Sequence, residues 1–473
     1  MSTAIAAVRA RRVLVDDALV PAVVHLADGR ITAVQPLDAG GLAGGLAGGV
    51  AGGEVLDVPD TAVVLPGVVD THVHVNEPGR TEWEGFATAT RAAALGGVTT
   101  IIDMPLNSLP PTTDAAALDL KRAAAVPQVQ VDVGFWGGAV PGNLADLPGL
   151  WEAGVFGFKC FLSPSGVEEF PPLAPEEFAA AAKAIAALPS PAGSARDGGL
   201  LIVHAEDPDV LAAAPQRPSR AYADFLLSRP DAAETAAIAR VIDVARSTGC
   251  RTHVLHLSSA RALDLLAAAR EEGLPITVET CPHYLCLTAE EVPDASPAFK
   301  CCPPIRDRGN RDALWDALRS GLIDVVVSDH SPATAEVKLA GDGDLQQAWG
   351  GVAGLQVGFA AVVHEAGRRG VGLAEVSRWM SRGTAGLVGL VDRGRIEAGA
   401  TADLIVLDEA APFEVDAARL AHRNPISAYD GRRYDARVTH TVLAGRQLDL
   451  DSPGGSRPSG RLLTRPVSTQ EHR

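Results

Sequence analysis

The residues Asp70-Thr71-His72-Val73-His74 end an apolar run that begins at residue 63. Alternate residues of a strand share a face, so both imidazoles can address one cation. An HxH pair alone is more often a coincidence of core or surface, and it gains weight from donors that end other apolar runs. His204 closes LLIVH, where a solitary imidazole would ordinarily be a satisfied core histidine. His253 and His256 lie three apart in HVLHLSS, so on a strand they face opposite sides. The strand-end position favours His256 for the inside, and His253 is expected to be packed or exposed. Asp329 ends IDVVVSD, and its carboxylate needs a partner there, a metal or a histidine, because an unpaired buried charge is too costly. Lys159, in GFKCF, is the oddity, since an ammonium beside cations would be repelled. A desolvated amine can add carbon dioxide to give a carbamate, whose two oxygens suit bridging two divalent ions. A lysine salt-bridged inside the barrel is an equal alternative.

Together these positions offer four His, one Asp and one modified Lys. Imidazole and carboxylate without thiolate suit zinc or another divalent first-row ion. Two such ions about 3.5–4 Å apart would activate water and polarise a carbonyl.

The elements that must carry these groups follow from the pattern. From residue 63, apolar strand candidates alternate with alanine-rich helical segments at 85–94, 115–124, 176–187, 231–247 and 260–272. Near-continuously apolar strands alternating with helices mean a parallel sheet covered on both faces. Eight strand candidates ending at Asp329 predict an α/β fold, a (β/α)8 TIM-like barrel with its site at the C-terminal mouth. Short β-rich stretches at 13–15, 22–26 and 31–34, and again at 393–407 and 438–443, predict a small β-domain built from both termini. The expected division is 1–62 for its N-terminal part, 63–385 for the barrel, 386–450 for its C-terminal part and 451–473 for a disordered tail. Within the first part, residues 40–53 (GGLAGGLAGGVAGG) read as a flexible surface loop. No Lys-Ser/Thr opens a helix after it, which disfavours phosphate binding.

Composition narrows the partners. A formal net charge of −17 without a compensating basic block argues against nucleic acid and anionic membranes. Six Cys in 473 residues, none spaced CxxC, read as reduced thiols of a cytoplasmic protein. The first residues make a poor signal peptide, and no apolar run reaches the length of a membrane span.

Six stretches taken in order, DTHVHVNEPGRTEWEGF (70–86), GFKCFLSPSGVEEFP (157–171), VHAE (203–206), HVLHLSSA (253–260), ETCPHYL (279–285) and SDHSP (328–332), resemble those of cyclic amidohydrolases, and among them the allantoinases. The resemblance runs from about residue 10 to 445, apart from the glycine loop. It implies that His72, His74 and Asp329 hold one metal ion, that His204 and His256 hold the second, and that N6-carboxylated Lys159 bridges both. It also implies that Asp329 moves the proton from the nucleophile to the departing ring nitrogen. A small β-sandwich from the two termini, a homotetramer and two zinc ions are further implications. Dihydroorotases carry Arg where Asn76 stands, and that Arg grips a carboxylate, so a carboxylated ring is disfavoured. Dihydropyrimidinases and hydantoinases place Tyr where Pro164 stands. The implied substrate is therefore allantoin, a neutral cyclic ureide opened to allantoate. A hydantoinase or dihydropyrimidinase is the alternative, followed by a dihydroorotase or a non-catalytic scaffold. Asn76, Asn107, Cys281 and Ser331 are the candidate ring contacts, with Cys281 also readable as a small buried apolar residue. Glu77 and Arg80 are expected to order the first loop. Cys301-Cys302, followed by two prolines, reads as a strained loop near the mouth.

Overall fold

The computed structural model describes residues 3–37, 53–191, 197–449 and 458–466. Eight strands, Val68–Val73, Val98–Asp103, Asp132–Phe135, Phe158–Phe161, Leu200–His204, Arg251–Val254, Ile276–Thr280 and Val325–Val326, pair in parallel in chain order. Gly137–Gly138 carries the third strand onto the fourth, and a bridge between Val73 and His330 joins the last strand to the first. Almost every residue of these strands is buried, as a sheet covered on both faces requires.

Helices fall where the alanine-rich segments predict them: Phe86–Leu95, Ala115–Ala125, Pro175–Ala186 and Asp231–Thr248. Asp114 caps the second of these by accepting from the Ala117 N–H at 2.8 Å. The segment 260–272 divides into a 3-10 turn, Ala260–Ala262, and a helix, Leu263–Glu271.

Strands from both ends of the chain share one eight-stranded sheet. Thr3–Val15 pairs with Ala18–Ala27, while Leu404–Asp408 lies between Ala62–Pro66 and Arg437–Leu443. Two expectations change here. The apolar run from residue 63 is two strands rather than one, so the passage from sheet to barrel falls at Gly67. Nothing larger than glycine fits there: an added Cβ would lie 2.2 Å from Thr99 Oγ1. The segment between Leu404–Asp408 and Arg437–Leu443 turns away from the sheet, and Val415, Tyr429 and Tyr434 join the barrel core instead.

The tail also differs from expectation. Residues 458–466 pack along the barrel at the N-terminal ends of its strands, with the Val133 N–H donating to Arg461 O and the Arg465 N–H to Gly154 O. The Arg465 guanidinium lies 3.7 Å from the centroid of the Trp151 ring. Composition hid this, because Leu462, Leu463 and Arg465 supply the contacts amid Ser, Pro and Gly. The glycine loop lies outside the described residues apart from Gly53.

Candidate active site

The C-terminal ends of the strands surround a cavity of about 330 Å³. His74, Lys159, His204, His256 and Asp329 all line it, and His72 lies fully buried behind it. The His72 Nε2 and His74 Nε2 atoms stand 3.2 and 3.6 Å from Asp329 Oδ1. These three side chains bring one ligand atom each within 4.8 Å of one another. His204 Nδ1 and His256 Nε2 face each other at 2.9 Å. All six residues picked out as ligands in the sequence are thus gathered at one place, from the first, fourth, fifth, sixth and eighth strands.

The strand ends bend to aim these groups. His256 and Asp329 adopt positive φ values of 36° and 43°, and Asn76 and Asn107 adopt 66° and 64°. Non-glycine residues rarely hold this conformation, and its clustering at one rim marks a functional site.

Electrostatics favour the neutral form of His74, His204 and His256. Burial pushes His74 and His256 well below the ordinary histidine value, and the neighbouring cationic groups add to it. His204 is lowered by burial against the opposing pull of Glu206. A neutral imidazole is the form that binds a cation. Burial also lowers Lys159 to about 8, although Asp329 and Glu279 act against it. Its Nζ lies 4.9 Å from the centroid of the Phe161 ring.

Three carboxylates that sequence reasoning passed over hold the histidines of this cluster in place. Glu279 Oε1 accepts from His72 Nδ1 at 2.5 Å and from the His256 N–H at 3.2 Å. Glu279 Oε2 lies 3.0 Å from His253 Nε2, so His253 is the packed imidazole of its pair. Burial would raise Glu279, but His72 and His253 outweigh it and hold the carboxyl at about 2. Glu206 Oε2 pairs with His204 Nε2 at 2.8 Å, and Arg229 grips the same carboxylate through Nε and Nη2. Asp70 accepts from the backbone N–H groups of His72 and Ser328. The signal for Glu279 and Glu206 was an acid ending, or just following, a buried strand.

These bonds decide which nitrogen each histidine presents. His72 Nδ1 is committed to Glu279 and His204 Nε2 to Glu206, so His72 Nε2 and His204 Nδ1 face the centre. His72 Nε2 is buried and makes no hydrogen bond among the described residues. An orphaned ring nitrogen aimed at a carboxylate, beside two imidazole nitrogens in contact, fits a pair of divalent cations.

Of the proposed ring contacts, Asn107 and Ser331 line the cavity, and Ser331 Oγ donates to Asp329 Oδ1 at 2.8 Å. Asn76 and Cys281 do not line it. Asn76 is buried with its amide donating to Pro332 O at 3.3 Å, and Cys281 is a fully buried core residue whose thiol is raised well above its ordinary value by burial. Glu77 accepts from the Phe86 N–H, and Arg80 donates to Asn107 O and to Glu169, so both order the first loop. Cys301 and Cys302 line the cavity, and all six cysteines are free. No described helix is long and apolar enough to cross a membrane.

The comparison with known proteins agrees with this geometry. Residues 63–448 match the Amidohydrolase family. The chain belongs to this family. Among curated amidohydrolase relatives, "Allantoinase" of Streptomyces avermitilis is 54% identical over 97% of this chain and 98% of its own. "Allantoinase" of Saccharomyces cerevisiae is 40% identical over 97% and 98%. Among solved structures, the L-hydantoinase (dihydropyrimidinase) from Arthrobacter aurescens superposes with a TM-score of 0.87 at 28% identity, over 98% of this chain and all of that one. The likeness to allantoinases read in the sequence is borne out, and the enzyme class is that of cyclic-amide hydrolases.

Proposed function

We propose that this chain is an allantoinase, which adds water to the ring amide of allantoin and releases allantoate in ureide catabolism. The observation that carries the reading is the convergence of His74, His204, His256, Asp329 and a partly deprotonated Lys159 on one cavity, with His72 buried directly behind it. In this reading His72, His74 and Asp329 would hold one divalent ion, His204 and His256 would hold the second, and Lys159 as its carbamate would lie between them. Zinc suits this donor set. When bound, such a pair supplies an activated water and polarises the ring carbonyl.

The chain's own residues do the rest. Asp329 receives the proton of the attacking water and delivers it to the ring nitrogen as the C–N bond opens. Ser331 Oγ, bonded to Asp329 Oδ1, keeps that carboxylate turned to the cavity. Glu279 and Glu206 fix the tautomers of His72 and His204 through the nitrogens away from the centre. Asn107 and Ser331 are the ring contacts that this reading retains.

The domain reading accompanies the functional one. The eight-stranded sheet of the two termini is the small β-sandwich beside the barrel, and the molecule is a cytoplasmic homotetramer. The test is a substrate panel of allantoin, hydantoin, dihydrouracil and dihydroorotate offered to the metal-loaded protein. Allantoin should turn over fastest. Faster turnover of dihydrouracil would replace this reading with the dihydropyrimidinase one, which the fold likeness to the Arthrobacter aurescens enzyme also fits.

A further inference from the structure

One wall of the cavity is not a strand end but a loop, formed by Gln346, Gln347, Ala348, Trp349, Gly350 and Gly351. It is fastened by two buried lysines. The Lys338 ammonium, in a residue only 4% exposed, donates to the backbone carbonyls of Lys300 at 3.0 Å, Trp349 at 3.0 Å and Gly351 at 2.5 Å. The Lys300 ammonium donates to Ala348 O at 2.5 Å and Gln346 O at 3.2 Å. Neither lysine forms an ion pair with a carboxylate among the described residues.

A buried ammonium without a counter-ion is costly unless its donors are all used. Burial lowers Lys338 to about 7, and in its ammonium form it has three N–H donors and no acceptor, all three received by carbonyls. Those carbonyls belong to two separate stretches of the cavity wall, the one at Lys300 and the one at 349–351, which the ammonium ties together. The tie fixes Trp349 in particular. Its ring meets the edge of Trp83 at 4.9 Å between centroids. On another side it covers Gly166, where an added Cβ would lie 3.2 Å from the indole. Trp349 thus closes the space between the loops that follow the first, fourth and eighth strands, and it lines the same cavity as His74, His204 and His256.

We propose that Lys338 is a positioning residue for substrate selection, holding Trp349 and Gly351 as the rigid wall against which the part of the substrate remote from the reacting carbonyl is seated. The lysine itself is sealed off from the cavity and touches no substrate. Its effect is exerted through the carbonyls it gathers. The inference rests on the allantoin reading only for the choice of substrate, whose exocyclic ureido arm is the part so held.

The test compares steady-state kinetics on allantoin for the metal-loaded wild type, Lys338→Met, Lys338→Gln, Trp349→Ala and the Lys338→Gln/Trp349→Ala double variant. A loosened wall weakens binding without touching the reacting groups, so each single variant should raise KM by about 10-fold while kcat stays within about threefold. Metal content should be unchanged. The double variant should be no worse than Trp349→Ala, because both changes remove one device. An unchanged KM in the Lys338 variants overturns the proposal, as does metal loss or a KM effect that multiplies in the double variant. Lys338→Gln keeps two donors and guards against failure to fold. Should neither Lys338 variant fold, an unchanged KM in Trp349→Ala is decisive against it. If the wild type itself leaves allantoin intact, the substrate reading has failed instead, and the two failures are distinct.

Discussion

Replacing Glu279 by Gln tests whether the buried charge behind His72 matters to metal affinity. Glu279 Oε1 takes two donors, His72 Nδ1 and the His256 N–H, while Oε2 faces His253 Nε2. A glutamine has the same shape with one oxygen and one NH2. With its oxygen at the Oε1 position it still accepts both donors. Its NH2 then meets His253 Nε2, which becomes an acceptor if that ring shifts its proton to Nδ1, where Thr277 Oγ1 at 2.8 Å can accept it. The opposite orientation sets NH2 against two donors at once and is excluded. Fully paired, the variant should fold with nearly unchanged Tm, having lost only the negative charge that would make His72 a stronger ligand. Loss of such an outer partner costs about 10–100-fold in metal affinity, or about 1.4–2.7 kcal/mol. Glu279→Leu is a harsher change, since it strands three buried donors at about 1–3 kcal/mol each, against a total stability of about 5–15 kcal/mol. The assay is metal retention in competition with a chelator, read beside kcat at saturating metal. Wild-type metal retention in Glu279→Gln would refute the argument that this carboxylate tunes His72.

Four further outcomes follow from the same structure. Lys159→Ala should lose most activity and part of the metal, with partial recovery by a short carboxylic acid, and unchanged metal content would sink the bridging role. Because Lys159 sits at about 8 rather than 10.5, its free amine at neutral pH is roughly 300-fold more abundant than that of an ordinary lysine, so reconstitution of the metal-free protein should quicken with added bicarbonate. Burial acts to raise Glu206, yet Arg229 and His204 prevail and hold it at about 2, below its ordinary 4.5. Its stabilisation is therefore complete above pH 4.5 and lost as pH falls toward 2, and Glu206→Gln should remove about one proton from the uptake measured on acid unfolding of the metal-free protein. A chain ending at residue 449 should melt several degrees lower, having lost the Arg465–Trp151 contact and its backbone bonds, each worth about 1 kcal/mol, while KM for allantoin is unaltered.

The barrel and the cluster of polar side chains at its mouth were legible because both rest on strong local signals. Buried parallel strands must be continuously apolar, so a His that ends one, a Lys within one or an Asp just past one stands out, as His204, Lys159 and Asp329 do. Glu279 was less visible, because an acid near a strand end reads equally well as a surface residue until the fold sets it behind His72. Lys338 and Trp349 lay in a stretch with no periodicity, and their pairing with carbonyls is a product of tertiary structure alone. The tail misled for a related reason: Ser, Pro and Gly dominate its composition, whereas two leucines and one arginine decide its packing. Asn76 was singled out because dihydroorotases carry Arg there, yet its buried amide donates to Pro332 O and does not line the cavity.

On the proposed reading, the chemistry and the selectivity stand on different parts of the fold. The groups proposed for the reaction stand in or just after the barrel strands, where parallel pairing and buried carboxylates leave them little freedom. Glu279, Glu206 and Asp70 are each hydrogen-bonded to a ligand's ring or backbone. The loop wall has no strand beneath it, and its shape is set by ammonium groups that gather carbonyls. A relative can therefore change its substrate by altering that wall while the ligand set stays intact. The chain superposes on a hydantoinase with a TM-score of 0.87 at 28% identity and is 54% identical to a protein named allantoinase, so the barrel is the common part. The shared barrel carries the hydrolysis of a cyclic amide, and the loops after its strands choose which ring is presented to it.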